Sequence, residues 1–313
     1  MTLDRASIEA TARRIAPFIR RTPVMEIVVP GVAQPVCLKL EQLQHSGSFK
    51  ARGAFSNLVG VAVPEAGVAA ASGGNHGAAV AYAARVLGVP ARIFVPSISS
   101  PAKVARIASY GAMIAQEGAN YQECLGFCEA YAKQSGAMDI HAYNTEVTLN
   151  GPGTLARELE EQAPALDTVL IAVGGGGLIG GMASWYQSKV KIIGVEPVTC
   201  NALHAALGAG APLAIKPSGL AADSLGASSA GTLMFPIAQR HVDRVILISD
   251  DDIRNAQRFL WTASQIVTEP GGAAAFASLL SGRYKPEKHE RVGVIVCGAN
   301  TPLETFNALI ATA

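Results

Sequence analysis

From residue 68 onward the chain alternates short apolar runs with stretches of helical periodicity, and no other feature narrows its fold so far. "VAAAS" leads into "HGAAVAYAARVLG", "ARIFVP" into "PAKVARIASYG" and "AMIAQEG" into "YQECLGFCEAYAKQSG", after which "MDIHAYN" follows. Parallel strands need a long crossover, usually a helix, and they are buried on both faces, so they read as unbroken apolar runs. The pattern therefore predicts βαβ units around parallel sheets. A second series starts after "NGPGTLARELEEQ" with "DTVLIAV", a glycine run, "LIGGMASWYQSKV" and "KIIGVEP". It closes with "DRVILIS", "DDIRNAQRFLWTASQIV", "GGAAAFASLLSG" and "RVGVIVCGAN". The expected fold class is α/β, with two doubly wound parallel-sheet domains meeting near Thr145 to Gly153. The length of 313 residues also suggests about two domains. Pattern alone leaves the N-terminal strand "PVCLKLEQ" without an assigned sheet.

Charge supplies exclusions. A formal net charge of +1, with 16% of residues charged, offers no electrostatic basis for binding nucleic acid or an anionic membrane. The stretch from Thr168 to Ser188 carries no formal charge and is long enough to span a bilayer. Four consecutive glycines interrupt it, however, and each costs about 1 kcal/mol in a helix interior relative to Ala. A strand, a glycine loop and a helix account for it instead. The N-terminus has no apolar signal core. Five cysteines, odd in number and without paired zinc spacing, indicate reduced thiols in a cytoplasmic protein.

One lysine and three loops carry candidate chemistry. In "HSGSFKARGAF" Lys50 stands at a helix start, with Ser48 as the expected cap and Ala51, Ala54 and Phe55 as an apolar face. An ammonium there opposes the helix dipole. A surface lysine is the ordinary reading; the sharper one is an amine kept neutral, hence nucleophilic and able to form a Schiff base. "AVGGGGLIGG" follows a strand and opens a helix, where free N–H groups and the dipole favour an anion. Gly175, Gly177 and Gly180 also satisfy G-x-G-x-x-G, and Glu196 ends the next strand. A dinucleotide, the phosphate of another cofactor and plain close packing are all readings of that loop taken alone. In "ASGGNHG", Ser72 and Asn75 offer polar side chains while Gly73, Gly74 and His76 offer N–H groups. Such a set can bind a carboxylate or simply turn the chain. "IVCGAN" ends a buried strand at Cys297, Gly298 and Asn300, where a core cysteine is the ordinary reading.

Taken in this order and spacing, "SGSFKARGA", "SGGNHG", "GGGGLIGG", "EPGGAA" and "VCGAN" closely resemble the serine/threonine dehydratases. Those are fold-type II (tryptophan synthase β-like) enzymes that use pyridoxal 5′-phosphate (PLP). The resemblance runs from about Ile8 to the C-terminus and displaces the reading as an NAD-dependent oxidoreductase. It implies PLP in a cleft between a large domain, residues 1–60 and 145–313, and a small domain, residues 61–144, that binds the substrate carboxylate. Lys50 would hold PLP as a Schiff base and then act as the base at the substrate Cα. Phe49 would pack against the ring, and Asn75 would hydrogen-bond its phenolic oxygen. Gly174, Gly175, Gly176 and Gly177 would cradle the phosphate. Ser72, Gly74, Asn75 and His76 would hold the substrate carboxylate, and Cys297 would face the ring nitrogen. A neutral thiol there, in place of a carboxylate, favours prompt loss of a β-hydroxyl over a long-lived carbanion. The implied activity is an ammonia-lyase that converts L-threonine, L-serine or both to a 2-oxo acid and ammonia. The implied partners are a small amino-acid substrate and, as in many such relatives, a second copy of the chain in a homodimer.

Departures from the pattern refine this expectation. Serine racemases, the nearest alternative together with eliminases for other β-substituted amino acids, look to have a second serine where this chain has Gly73. Racemisation by two bases is therefore not expected, and the Asn loop also differs from that of cysteine synthases. At Glu196 the same relatives bind a divalent cation with an Asp six residues on; that residue is Ala202 here, so no such metal site is expected. Ser224 stands where many relatives have Gly, which implies a shifted substrate preference. The end of the chain soon after "VCGAN" implies no regulatory domain and no feedback inhibition by isoleucine.

Overall fold

Among residues 3–311, which the computed structural model describes, ten strands form two sheets. They are β1 (Val24–Ile27), β2 (Val36–Lys39), β3 (Val68–Ala71), β4 (Ala91–Val95) and β5 (Met113–Gln116), then β6 (Met138–Asp139), β7 (Thr168–Ala172), β8 (Lys191–Pro197), β9 (Val242–Ile248) and β10 (Val292–Ile295). The larger sheet runs β1-β2-β10-β7-β8-β9 and is parallel except where β1 pairs antiparallel with β2. The smaller runs β5-β4-β3-β6, all parallel. The α/β class with two parallel-sheet domains is thus present, and "PVCLKLEQ" finds its place as β2, beside β10.

The winding of each sheet positions a ligand site. The chain travels outward from β3 through β4 to β5, then returns to the other side of β3 as β6. It does the same from β7 through β8 to β9, returning as β10. At such reversals a crevice opens beyond the carboxyl ends of the central strands, where open α/β sheets bind their ligands. The three loops singled out by sequence follow β3, β7 and β10.

Both faces of the smaller sheet are dry at β3, which is why that central strand reads "VAAA" with no polar alternation. Val68 and Ala70 share a core with Ile93, Val95 and the helix Asn75–Leu87. Ala69 and Ala71 turn the other way, onto Phe94 and onto Cys124 and Cys128 of the helix Tyr121–Ser135. The two cysteines lie one turn apart on one helix face, act as small apolar groups, and are free thiols. The uncharged stretch after Thr168 resolves into β7, the glycine loop and the helix Gly177–Tyr186, buried along its whole length. No helix among the described residues is long and apolar enough to cross a membrane.

A buried polar cluster locks the segment that carries Lys50. Arg52, wholly buried, donates to both oxygens of Glu41 at 2.7 and 2.9 Å, to Glu158 at 3.0 Å and to Thr154 at 3.2 Å. Lys39 Nζ donates to Glu158 at 2.5 Å, to the Thr22 carbonyl at 2.7 Å and to Gln162 at 2.7 Å. Two cations meet two carboxylates, and buried charges are tolerated only when paired and hydrogen-bonded in this way. Burial pushes Glu41 upward, but the Arg52 guanidinium outweighs it and holds the carboxyl below its ordinary value. The cluster joins β2, the helix Lys50–Leu58 and the helix Glu146–Gln162.

Candidate active site

The helix that carries Lys50 begins at that residue, and Ser48 does not cap it. Ser48 is extended and bridged to Gly298, and its Oγ is buried without a partner. Phe49 takes the cap position instead and donates its N–H to the Cys297 carbonyl at 3.1 Å. Pairing with the loop after β10 requires extended backbone at Ser48, so the helix can start only beyond it. Lys50 Nζ donates to the Ala142 carbonyl at 2.9 Å and lies 5.3 Å from the centre of the Phe49 ring. Burial brings its pKa down from 10.5 to about 8. The Cys297 thiol, donating to the Gly271 carbonyl at 3.4 Å, is pushed upward by burial and stays protonated.

Lys50 opens into two adjoining cavities. The larger, about 510 Å³, is lined on one side by Ser72, Gly73, Gly74, Asn75 and His76, and on the other by Gly174, Gly175 and the segment from Ala222 to Ala227. The smaller, about 60 Å³, is bounded by Phe49, Asn75, the four glycines and Cys297. Every site residue expected from sequence therefore lines one or both.

The Asn loop ends where the helix Asn75–Leu87 begins, and the N–H groups of a helix's first turn have no acceptor within the helix. The Gly74 N–H donates to Ser72 Oγ at 3.1 Å. His76 is divided: its ring is buried with Nε2 at 2.7 Å from the Ile140 carbonyl, and burial lowers its pKa to about 3. Its main-chain N–H alone is left to serve the cavity. Asn75 donates to Glu269 at 2.5 Å and accepts from Asn300 at 2.5 Å.

The glycine loop is a cradle that side chains would fill. Gly176 has φ +93°, the left-handed region, and caps the helix Gly177–Tyr186. A Cβ on Gly175 would lie 2.5 Å from the Tyr143 ring, one on Gly176 would lie 2.6 Å from Met234 Sδ, and one on Gly177 would lie 2.9 Å from Tyr143 Cβ. First-turn N–H groups at this helix start face a small cavity that also holds a lysine amine and an uncharged thiol. That donor set fits PLP: N–H groups for a phosphate, an amine for an aldehyde, and a flat slot beside Phe49 for a ring. Glu196 belongs to neither cavity. It is buried and accepts from the N–H groups of Leu203 and His204 at 2.9 and 2.8 Å, with burial raising its pKa to about 8. The acidic member of the dinucleotide pattern therefore points into a helix start and not into the site.

Sequence reasoning missed three groups. Tyr143 lies over the glycines and lines both cavities. Asn300 bonds Asn75, a contact that "VCGAN" does not signal in sequence. Glu269 lines the smaller cavity; its signal was an acid just before Pro270 in "EPGGAA", which reads as ordinary helix capping. Ser224 lines both cavities, and its Oγ accepts from the Gly271 N–H at 3.0 Å.

A family model described as "Pyridoxal-phosphate dependent enzyme" matches residues 15–298. The phenylserine dehydratase of Ralstonia pickettii is 38% identical over 97% of this chain and 95% of its own length. The structure of maize serine racemase superposes with a TM-score of 0.92 at 32% identity, covering 99% of this chain and 97% of that one. The serine racemase of Dictyostelium discoideum gives a TM-score of 0.87 at 30% identity, covering 96% and 99%.

Proposed function

The chain belongs to the pyridoxal-phosphate dependent enzymes, with PLP as its cofactor, and from that premise we propose that it is a dehydratase of L-β-hydroxy amino acids. The reaction releases the β-hydroxyl and ends in a 2-oxo acid and ammonia. One observation carries this reading: a buried lysine amine, its pKa lowered to about 8, opens into the same cavity as a helix start free to bind a carboxylate. When bound, PLP supplies the electron sink for charge that develops at the substrate Cα. Lys50 anchors the cofactor and serves as the base that takes the Cα proton, both of which need an uncharged nitrogen. The N–H groups of Asn75 and His76, with Ser72 and Gly74, orient the substrate carboxylate. Gly174 to Gly177 would hold the cofactor phosphate, Phe49 would pack on its ring, Asn75 would serve its phenolic oxygen, and the uncharged Cys297 would stand at its ring nitrogen. Residues 61–144 act as the substrate-binding domain, and the active assembly is a cytoplasmic homodimer.

L-Threonine and L-serine are the first substrates to test. The 38% identical relative is named for phenylserine, which makes an aryl substrate the second reading. The test measures 2-oxo acid release from L-serine, L-threonine and L-3-phenylserine by the PLP-loaded enzyme. Release should fall by roughly 10⁴-fold or more in Lys50→Ala, at or beyond the upper end of what a general base alone contributes, because the anchor is lost as well. No release from any of the three, with the cofactor bound, would rule the dehydratase reading out.

A further inference from the structure

Glu269 is a carboxylate at the start of a helix that it does not cap. It precedes Pro270–Leu280, where an acidic side chain ordinarily bonds the first-turn N–H groups, yet no such bond forms. Ser224, from a distant segment, satisfies the Gly271 N–H in its place. The Glu269 carboxylate is 3% exposed, is the one acidic group lining the smaller cavity, and accepts from Asn75 Nδ2.

We propose that Glu269 is a positioning residue that sets the orientation of the Asn75 amide, so that Asn75 presents an N–H to the cofactor and not its carbonyl oxygen. A primary amide can turn over, exchanging oxygen for nitrogen with little change of shape, and only its partners decide between the two. Here the partners form a directed chain. Asn300 Nδ2 donates to the Ser46 carbonyl at 2.9 Å and to Asn75 Oδ1 at 2.5 Å, and Asn75 Nδ2 donates to Glu269 Oε1 at 2.5 Å. Both ends can only accept, one being a backbone carbonyl and the other, once ionised, a carboxylate. Both N–H groups of Asn300 are thereby committed, the Asn75 oxygen must face Asn300, and its nitrogen must face Glu269. The second N–H of Asn75 keeps no partner among the described residues, in a side chain that lines both cavities. The carboxylate thus serves the site at the expense of its own helix, which explains why Ser224 supplies the missing cap.

The inference rests on the cofactor-binding role of Asn75 and not on the identity of the substrate. Burial raises Glu269 to a pKa of about 7; the Asn75 hydrogen bond, Lys103 and Arg106 pull it down, Asp223 pushes it up, and the neighbouring Cys297 thiol is neutral. The acceptor-only form therefore dominates above that pH.

The test reads the visible absorption band of the PLP-loaded protein and its dissociation constant for PLP, neither of which needs turnover. Glu269→Gln, able to donate as well as accept, should displace the band, abolish its titration near pH 7 and weaken PLP on the order of tenfold. Asn75→Ala should do the same, and the double variant should be no worse than Asn75→Ala alone. A wild-type band in Glu269→Gln, or additive effects in the double variant, would overturn the proposal. Glu269→Asp keeps an acceptor-only carboxylate and should keep the wild-type band. If its band moves as far as that of Asn75→Ala, the proposal fails even where the Gln variant does not fold.

Discussion

His76 shows how one residue can serve a site with its backbone and the fold with its side chain. In the folded protein its imidazole is held neutral, with a pKa near 3 against an ordinary 6.5, because burial penalises the charged form. The unfolded chain binds a proton below about pH 6.5 and the folded one does not until about pH 3. The stabilisation tied to His76 is therefore complete above pH 6.5 and is lost progressively as the pH falls toward 3. Its size is on the order of a few kcal/mol. Melting temperature measured from pH 7 to 4 should fall less steeply in His76→Asn than in the wild type; parallel curves would show that another group governs the acid limb. Gly73 belongs at this scale too. A side chain there would collide with Ser99 Oγ, so the space that Gly73 leaves open is already used by a hydroxyl from the loop after β4.

The strand-to-helix junctions are where elements become chemistry. Each places the free N–H groups of a helix start beyond a strand that is buried on both faces, and glycine supplies the backbone shape that lets a ligand come close. Gly176→Ala should lower both stability and PLP affinity. The left-handed φ alone costs about 1–2 kcal/mol, and the added methyl must displace the Met234 side chain. Gly136 is a fitting control: it is also left-handed at φ +75° and ends the helix Tyr121–Ser135, but nothing lies within 4 Å of its added Cβ. Gly136→Ala should lose a similar conformational increment while PLP affinity, followed by fluorescence titration, stays at the wild-type value. Equal affinity in both variants would separate the glycine loop from phosphate binding.

At the scale of the whole molecule the site depends on two regions being held against each other. Buried charge holds one side: removing the Arg52 guanidinium leaves Glu41 and Glu158 facing each other with Lys39 alone to balance them. Arg52→Ala should cost about 3–5 kcal/mol in urea unfolding, the usual penalty for orphaning a buried carboxylate. A loss below about 1 kcal/mol would mean that the cluster relaxes or admits water. Beside the larger cavity, Lys103 pairs with Asp223, which lines it, and Gln122 donates to Ser228 at 2.9 Å.

The sequence by itself determined the α/β class, the order of its loops and the identity of many, though not all, of the residues that line the cleft: Tyr143 and Glu269 came only with the fold. Those properties are local: apolar runs report burial, glycines report backbone shape, and a lysine beside an apolar helix face stands out within its own segment. The placing of "PVCLKLEQ" in the larger sheet, the true start of the Lys50 helix, the withdrawal of the His76 ring and the role of Glu269 were decided only by tertiary structure. Each depends on a partner far away in the chain: β10 for β2, Gly298 for Ser48, Ile140 for His76 and Asn75 for Glu269. A hydrogen bond has a direction and a short reach, so which of several eligible groups receives it is settled only once the fold has brought one of them within about 3 Å.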